Sequence, residues 1–153
     1  MPDVSELLPG TERTAGRALL NAIASGAPPP RGYIVNLRLA VSGLEWQPGR
    51  VAARLELAED VCSAPGIVFG GHVAALHDQI AAMVMLSVLP DGVTFVTSRL
   101  DTRFLGILRP GHATVEAEVV ALSVQRAQVE SVIVQHGALT SRSAVTQSLA
   151  GAG

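Results

Sequence analysis

A single carboxylate lies in the middle of the most apolar segment of the chain. Residues 73–86 consist almost entirely of helix-forming apolar residues, with Asp78 near their centre. A helix that is apolar nearly all round is typical of a buried core helix, where an unpaired carboxylate is costly. Gly70 and Gly71 come directly before this segment. The sequence therefore combines a candidate base with a helix start that offers unpaired amide donors.

These features suit the transfer of an acyl group to water. Because Gly70 and Gly71 carry no side chain, a carbonyl group could approach their amides closely and place its developing oxyanion there. Asp78 could act as the general base. Two plainer alternatives stay open: the glycines could form a tight turn into the helix, and Asp78 could be a satisfied buried carboxylate that caps a loop.

The spacing of these residues predicts a site shared by two chains. Gly71 and Asp78 are seven positions apart in one helix, or about 10 Å at about 1.5 Å per residue. One thioester cannot contact both groups, since reacting atoms lie about 3–3.5 Å apart. A second copy of the helix, antiparallel across a two-fold axis, would bring Asp78 of one chain near Gly71 of the other.

Composition excludes several other classes of protein. The 153 residues are enough for one domain, 1–153; 48% are hydrophobic, 16% are charged and the net charge is −2. No basic cluster predicts nucleic-acid binding. The longest apolar stretch, 80–89, is too short to span a membrane. A lone cysteine, Cys62, and an N-terminus without signal-peptide features predict a cytoplasmic protein.

The first third of the chain predicts one helix and two strands. Residues 3–24 carry a loose apolar stripe that predicts a helix, and the glycine- and proline-rich segment 26–32 ends it. Alternating apolar residues within 33–41 predict a half-buried strand. A turn at 46–49 then leads to a second alternating run at 51–57, so the two strands should form an antiparallel hairpin.

Four further strand-like runs follow the breaker at 90–92. They cover 96–104, 114–122, 126–135 and 139–149. In the first run, simple alternation places Thr97 with Arg99, Asp101 and Arg103 on one face, opposite Ser98, Leu100, Thr102 and Phe104. Strands joined by short turns predict an antiparallel sheet, and the apolar helix is the obvious partner for its buried face. The predicted architecture is α+β: one curved antiparallel sheet of five to six strands wrapped round one long central helix.

Several motifs in this order resemble a known family. The segment from Gly66 to Asp78, then Thr97, Arg103-Phe-Leu and Arg109-Pro-Gly, is similar to the hotdog-fold acyl-CoA thioesterases of the PaaI-like, phenylacetate-pathway type. The resemblance covers a hotdog core at about 33–149, to which the helix at 3–24 adds nothing.

The resemblance implies hydrolysis of an acyl-CoA thioester. Asp78 would be the general base or nucleophile, Thr97 would help to hold water, and a glycine amide at the helix start, Gly70 or Gly71, would polarise the thioester carbonyl. Coenzyme A would be part of the substrate, with no separate cofactor. Hotdog thioesterases build their sites at dimer interfaces, so a homodimer or a dimer of dimers is implied.

Two positions depart from the family pattern. Phe69 stands where the family usually has a histidine, and Ser63 stands where an asparagine is often found. Phe69 can neither accept nor donate a hydrogen bond, so any polar contribution at that position is lost. Both residues remain candidates for contacts with the substrate.

The other polar candidates have plainer alternatives. His77 could line the substrate tunnel or pack in the core, and Arg103 and Arg109 could meet the phosphates of coenzyme A or form ordinary surface ion pairs. His72 and His77 are not spaced at i,i+4 for a shared metal ion, so no metal site is predicted. Cys62 has no base among its sequence neighbours to make it a nucleophile.

Two other functions are compatible with this fold. A hotdog hydratase or dehydratase would usually place a catalytic histidine near the carboxylate, and Phe69 counts against it. A non-catalytic module that binds acyl thioesters would keep the fold without the chemistry; Asp78 and Thr97 argue against this reading, and Phe69 argues for it.

Overall fold

The computed structural model describes residues 14–29 and 31–151. Within these ranges the chain forms three α-helices, a short 3-10 helix (Glu59–Val61) and eight strands. The helices are α1 (Ala15–Ala24), α2 (Gly32–Asn36) and α3 (Gly70–Leu86). The strands are β1 (Ser42–Gln47), β2 (Arg50–Leu57), β3 (Cys62–Ala64), β4 (Ile67–Val68), β5 (Thr94–Phe104), β6 (Gly111–Leu122), β7 (Arg126–Gln135) and β8 (Ala138–Ala150).

Six strands form one antiparallel sheet that packs against the long helix α3. The strand order is β1-β2-β6-β7-β8-β5, so β5, which follows α3 in the chain, lies at an edge. The inward side chains of β2, β6, β7 and β8 join those of α3 in one hydrophobic core. The predicted α+β architecture, a six-stranded antiparallel sheet on one central helix, is thereby confirmed. No helix among the described residues is both long and apolar enough to cross a membrane.

The strand predicted at 33–41 is wrong. Residues 32–36 form the short helix α2, with Ile34 buried and Tyr33 and Val35 exposed. Arg38 then adopts a φ of 56°, which breaks any extended run. The first strand of the hairpin is instead β1, Ser42–Gln47, which pairs with β2 through a two-residue turn at 48–49. The second strand of the hairpin lies where the sequence predicts it.

The described part of the predicted N-terminal helix is helix α1. Helix α1 begins at Ala15, and Thr14 is its N-cap, with a side-chain oxygen that accepts a hydrogen bond from the Arg17 amide at 3.1 Å. The remainder of the predicted helix, 3–13, lies outside the described residues. Gly16 packs against the end of α3, where a Cβ atom would lie 2.7 Å from the Leu86 carbonyl oxygen.

The faces predicted for β5 are also wrong at one end. The pairing of β5 with β8 shifts register between Thr97 and Arg99. Thr97 lies opposite Gln147, whereas Leu100 lies opposite Val145, so Thr97 and Leu100 point to the same side of the sheet. The cause is a bulge, because one extra residue on β5 reverses the alternation. Thr97 therefore faces the helix, opposite to the side that simple alternation gives it.

Candidate active site

Asp78 and Thr97 are joined by a short hydrogen bond. The Thr97 hydroxyl donates to Oδ1 of Asp78 at 2.6 Å, from the edge strand β5 to the middle of α3. The Asp78 side chain is half-buried, so the carboxylate has a protein donor on one oxygen and keeps access to the surface. A hydroxyl that donates to a carboxylate fixes its orientation. The structure thus brings together two candidates that lie 19 positions apart in sequence.

The β5 bulge produces this contact. Without the register shift between Thr97 and Arg99, the side chain of Thr97 would lie on the outer face of the sheet. Bulges commonly re-aim a side chain next to a functional site. The bulge in β5 and the position of Asp78 on α3 therefore together place the Thr97 hydroxyl against the Asp78 carboxylate.

The first two amides of α3 have no backbone partner. The helix begins at Gly70, and the first amides that bond to Phe69 are those of His72 and Val73, at 2.9 and 3.1 Å from its carbonyl oxygen. No hydrogen bond within the described residues engages the N–H groups of Gly70 or Gly71. Phe69 occupies the N-cap position but contributes no side-chain hydrogen bond. The helix start therefore carries open donors, as the sequence predicts.

Two phenylalanine rings flank these donors. A Cβ atom on Gly71 would lie 2.5 Å from the Phe69 ring, and one on Gly70 would lie 3.5 Å from the ring of Phe104. Both rings are 56% exposed, and Ile67, Leu105 and Ile107 are exposed as well. The amide donors thus lie in an apolar surface, a setting that strengthens hydrogen bonds to a charged oxygen when water is excluded.

His77 does not lie at this site. Its side chain is fully buried, with Nδ1 2.6 Å from the Ser131 hydroxyl on β7 and Nε2 2.8 Å from the Ser141 hydroxyl on β8. Burial lowers the pKa of His77 to about 4, so the ring stays neutral at physiological pH. A neutral ring has one donor and one acceptor nitrogen, and the two serines satisfy both. Within one chain the geometry supports the packing alternative over the substrate-tunnel one.

Arg109 lies close to the helix start, whereas Arg103 lies on the other face of the sheet. The Arg109 guanidinium donates to the Gly66 carbonyl oxygen at 3.2 Å, in the turn between β3 and β4. Its backbone is held by Gln135, which accepts from the Arg109 amide and donates to its carbonyl, both at 2.9 Å. Arg103 pairs with Arg142 across β5 and β8, on the outer face. A single chain therefore places Arg109, but not Arg103, beside the helix start.

Ser63 and Cys62 form part of the short strand β3. Ser63 is exposed on this strand, which runs toward the turn before α3. Partial burial and, to a lesser degree, the nearby Glu59 carboxylate raise the pKa of the Cys62 thiol. A thiol with a raised pKa is a poor nucleophile, in agreement with the interpretation that Cys62 is not catalytic.

Gln147 is a polar residue of the site that the sequence analysis does not single out. It is fully buried on β8, and its Oε1 lies 3.2 Å from Oγ1 of Thr97. The signal in the sequence is small: a glutamine at an inward position of an alternating strand, between Val145 and Leu149. The hydrogen-bonded set on the helix-facing side of the sheet is therefore Asp78, Thr97 and Gln147.

The fold defines a class. One long helix against a six-stranded antiparallel sheet is the hotdog fold. Residues 65–139, which contain all of α3 and Thr97, match the family described as the thioesterase superfamily. This central segment therefore matches a superfamily of enzymes that hydrolyse thioesters. No curated protein matches the chain.

Solved structures of bacterial proteins have the same fold. A phenylacetic acid degradation-related protein of Ralstonia eutropha is 20% identical, with a TM-score of 0.73 over 84% of this chain and 98% of its own. A thioesterase protein of Streptococcus pneumoniae, solved with coenzyme A, is 22% identical, with a TM-score of 0.65 over 71% and 84% of the two chains. The smu.793 protein of Streptococcus mutans, bound to acetyl CoA, is 20% identical, with a TM-score of 0.65 over 70% and 86%. At sequence identities of 20–22%, the similarity to these structures shows a shared fold and no more.

Proposed function

We propose that the protein hydrolyses acyl-CoA thioesters to a free acid and coenzyme A, with Asp78 as the base or nucleophile. The observation that carries this proposal is the 2.6 Å hydrogen bond from Thr97 to Asp78, on a helix whose first two amides are open. Coenzyme A or acetyl CoA is bound in two of the structures that share the fold, which supports this class of substrate.

In the proposed reaction the thioester carbonyl accepts hydrogen bonds from the amide of Gly71, assisted by that of Gly70. As a base, Asp78 removes a proton from water while the water oxygen attacks the carbonyl carbon. The oxyanion that forms is stabilised by the helix amides and the positive end of the helix dipole. Its collapse breaks the carbon–sulfur bond, and the departing thiolate of coenzyme A takes up the proton. As a nucleophile, the Asp78 carboxylate would first attack the carbonyl carbon and expel the thiolate of coenzyme A, which forms an acyl anhydride; water then cleaves this anhydride to the free acid and restores Asp78.

This chemistry needs two subunits. Gly71 and Asp78 are part of the same helix, Gly70–Leu86, so about 10 Å of helix axis separates them. The proposed site combines Gly71 of one protomer with the partner's Asp78. The sequence predicts this arrangement, and the helix bounds are consistent with it.

The edge strand β5 supports the proposal of a dimer. It is 11 residues long, is paired only with β8 among the described strands, and exposes most of its side chains. Val96 is 67% exposed, Leu100 38% and Phe104 56%. A long apolar edge strand that stays uncovered is prone to aggregation, so native proteins cover it. A second copy of the chain would cover β5 and, with it, the strand that carries Thr97.

Thiol release from a panel of acyl-CoA substrates tests the proposed activity. The panel should contain short, long and aromatic acyl groups, because the structure favours none of them. We expect wild-type protein to release coenzyme A and Asp78→Asn to be slower in kcat by about 10²–10⁴-fold, with an unchanged oligomeric state. A wild type that cleaves no member of the panel would refute the proposal and favour the non-catalytic binding module.

Light scattering of a β5 variant tests the dimer. Val96→Lys places a charge on the exposed edge, and we expect it to shift the protein toward monomer and reduce thioesterase activity together. Val124→Lys is the matched control, because Val124 is 83% exposed in the loop between β6 and β7, and strand β8 separates this loop from β5. Equal dimer content in both variants would contradict an interface along β5.

A further inference from the structure

Gln147 lies directly beside Thr97 in the sheet and points at the helix. The two residues are cross-strand partners of β8 and β5, and Ala127 on β7 is the partner on the other side. The Gln147 side chain is 0% exposed, so its amide must find partners inside the protein. Ala127 offers none, and the side chain of Thr97 is within reach at 3.2 Å.

The positions of the available protons determine whether Oε1 or Nε2 of the Gln147 amide faces Thr97. The Thr97 hydroxyl has one proton, and the 2.6 Å distance to Oδ1 of Asp78 places that proton on the charged partner. Oε1 of Gln147 then has no proton to accept from Thr97, while Nε2 has no partner among the described residues. Rotating the amide by half a turn exchanges two groups of nearly equal size and puts Nε2–H against Oγ1 of Thr97. An oxygen left without a donor is tolerated better than an orphaned N–H.

We propose that Gln147 is a positioning residue whose Nε2–H donates to Thr97 and thereby commits the Thr97 proton to Asp78. With its oxygen engaged by Gln147, the hydroxyl has one direction left in which to donate. Oδ1 of Asp78 is then held, which leaves the second carboxylate oxygen, without a hydrogen-bond partner among the described residues, as the one available to react. This inference rests on the proposed function, because the orientation of Asp78 matters only if Asp78 reacts.

Two substitutions at Gln147 separate positioning from packing. Gln147→Met keeps the length and removes the donor, and we expect kcat to fall about 10-fold with KM changed less than twofold, the loss of one neutral hydrogen bond. Gln147→Glu keeps the shape but replaces the donor by an acceptor when ionised. Its carboxyl group regains a donor once protonated, so its activity relative to wild type should rise as the pH falls. Urea unfolding of this variant at each pH separates the two roles, because a purely structural glutamine would lose activity only as far as the protein unfolds.

A double substitution tests whether Gln147 acts through Thr97. In a Thr97→Val background the hydroxyl is absent, so adding Gln147→Met should lower kcat by less than twofold further. Ser143→Ala is the control, since Ser143 is buried on the same face of β8 but bonds to Asp101 and Thr102; it should leave kcat unchanged.

The outcomes distinguish the two proposals. If wild type hydrolyses acyl-CoA but Gln147→Met retains full kcat, or its effect persists undiminished without the Thr97 hydroxyl, the role of Gln147 is refuted and the thioesterase proposal stands. If the wild type is inactive while folded and dimeric, the thioesterase proposal fails first, and this inference fails with it.

Discussion

The ring of Phe69 lies where a side chain on Gly71 would have to be. A Cβ atom on Gly71 would lie 2.5 Å from Cε1 and 2.9 Å from Cζ of Phe69, distances that no side chain accepts without movement. The glycine at the second helical position and the aromatic residue in front of the helix therefore depend on each other. This relationship gives a structural reason for Gly71 that is independent of its proposed catalytic role.

Gly71→Ala should disturb the Phe69 ring more than the fold. Because the ring is 56% exposed, it can rotate away, so we expect the free energy of unfolding to change by less than about 1 kcal/mol. The displaced ring would crowd the amide donors, and kcat/KM for an acyl-CoA should fall about 10-fold. In a Phe69→Ala background Gly71→Ala should have little further effect. An equal loss with and without the ring would show that steric crowding by Phe69 is not the cause.

Thr97→Val and Thr97→Ser isolate the hydroxyl that bonds to Asp78. Valine has the shape of threonine without the donor, so kcat should fall about 10-fold, whereas serine keeps the 2.6 Å hydrogen bond and should stay within about threefold of wild type. Steady-state kinetics of the two variants provide the measurement. If both variants lose the same activity, the methyl group of Thr97 matters rather than its proton.

The pair Asp78–Thr97 also indicates what sequence could and could not predict here. The long apolar run around Asp78 predicted the central helix, because a buried helix is apolar on every side. Alternation placed β5 correctly but put Thr97 on the wrong face, since a bulge depends on the partner strand and leaves no local signal. The hydrogen bond between Thr97 and Asp78 could be expected only from the resemblance to the family.

The segment around Ile34 shows a second limit of pattern reading. Alternating aliphatic residues in 33–41 fit a strand, yet α2 buries Ile34 and the chain turns at Arg38 before β1 begins. Short apolar runs do not distinguish a strand from one or two helical turns, because packing decides between them. The partners of the buried histidine, Ser131 and Ser141, could not be predicted either, since three separate elements bring them together.

His77 should make stability depend on pH. Its folded pKa of about 4 lies below the value of about 6.5 for an unfolded histidine, so the unfolded state binds the extra proton first. Stability is therefore fully present above pH 6.5 and is lost as the pH falls from 6.5 to 4, by about 3 kcal/mol in total and about 2 kcal/mol by pH 5.

Urea unfolding at pH 7.5 and pH 5, at one protein concentration, measures this effect. His77→Gln keeps a donor and an acceptor toward Ser131 and Ser141 but does not titrate. Between pH 7.5 and pH 5, we expect the free energy of unfolding of the variant to fall by about 2 kcal/mol less than that of the wild type. An equal fall in the free energy of unfolding of both proteins would show that groups other than His77 cause the pH dependence.

Mixed dimers test the shared site directly. If Gly71 of one protomer works with the partner's Asp78, a dimer of one Asp78→Asn chain and one Gly71→Pro chain has one site with both groups intact and one with neither. Gly71→Pro removes the amide donor itself in the first helical turn, where proline keeps the helix but displaces the Phe69 ring as Gly71→Ala does. Each variant alone should be nearly inactive.

Co-expression of the two variants with different affinity tags, followed by selection of the mixed dimer, should restore activity to about half of wild type per dimer, because one of two sites is complete. Unselected random mixing should give about a quarter. A mixed dimer as inactive as its parents would place both groups in the same chain, whereas an active Gly71→Pro parent would remove Gly71 from the mechanism. Asp78→Asn mixed with wild type is the control for assembly, since about half of the activity is expected whether or not the site is shared, and a lower value would indicate a defect of assembly.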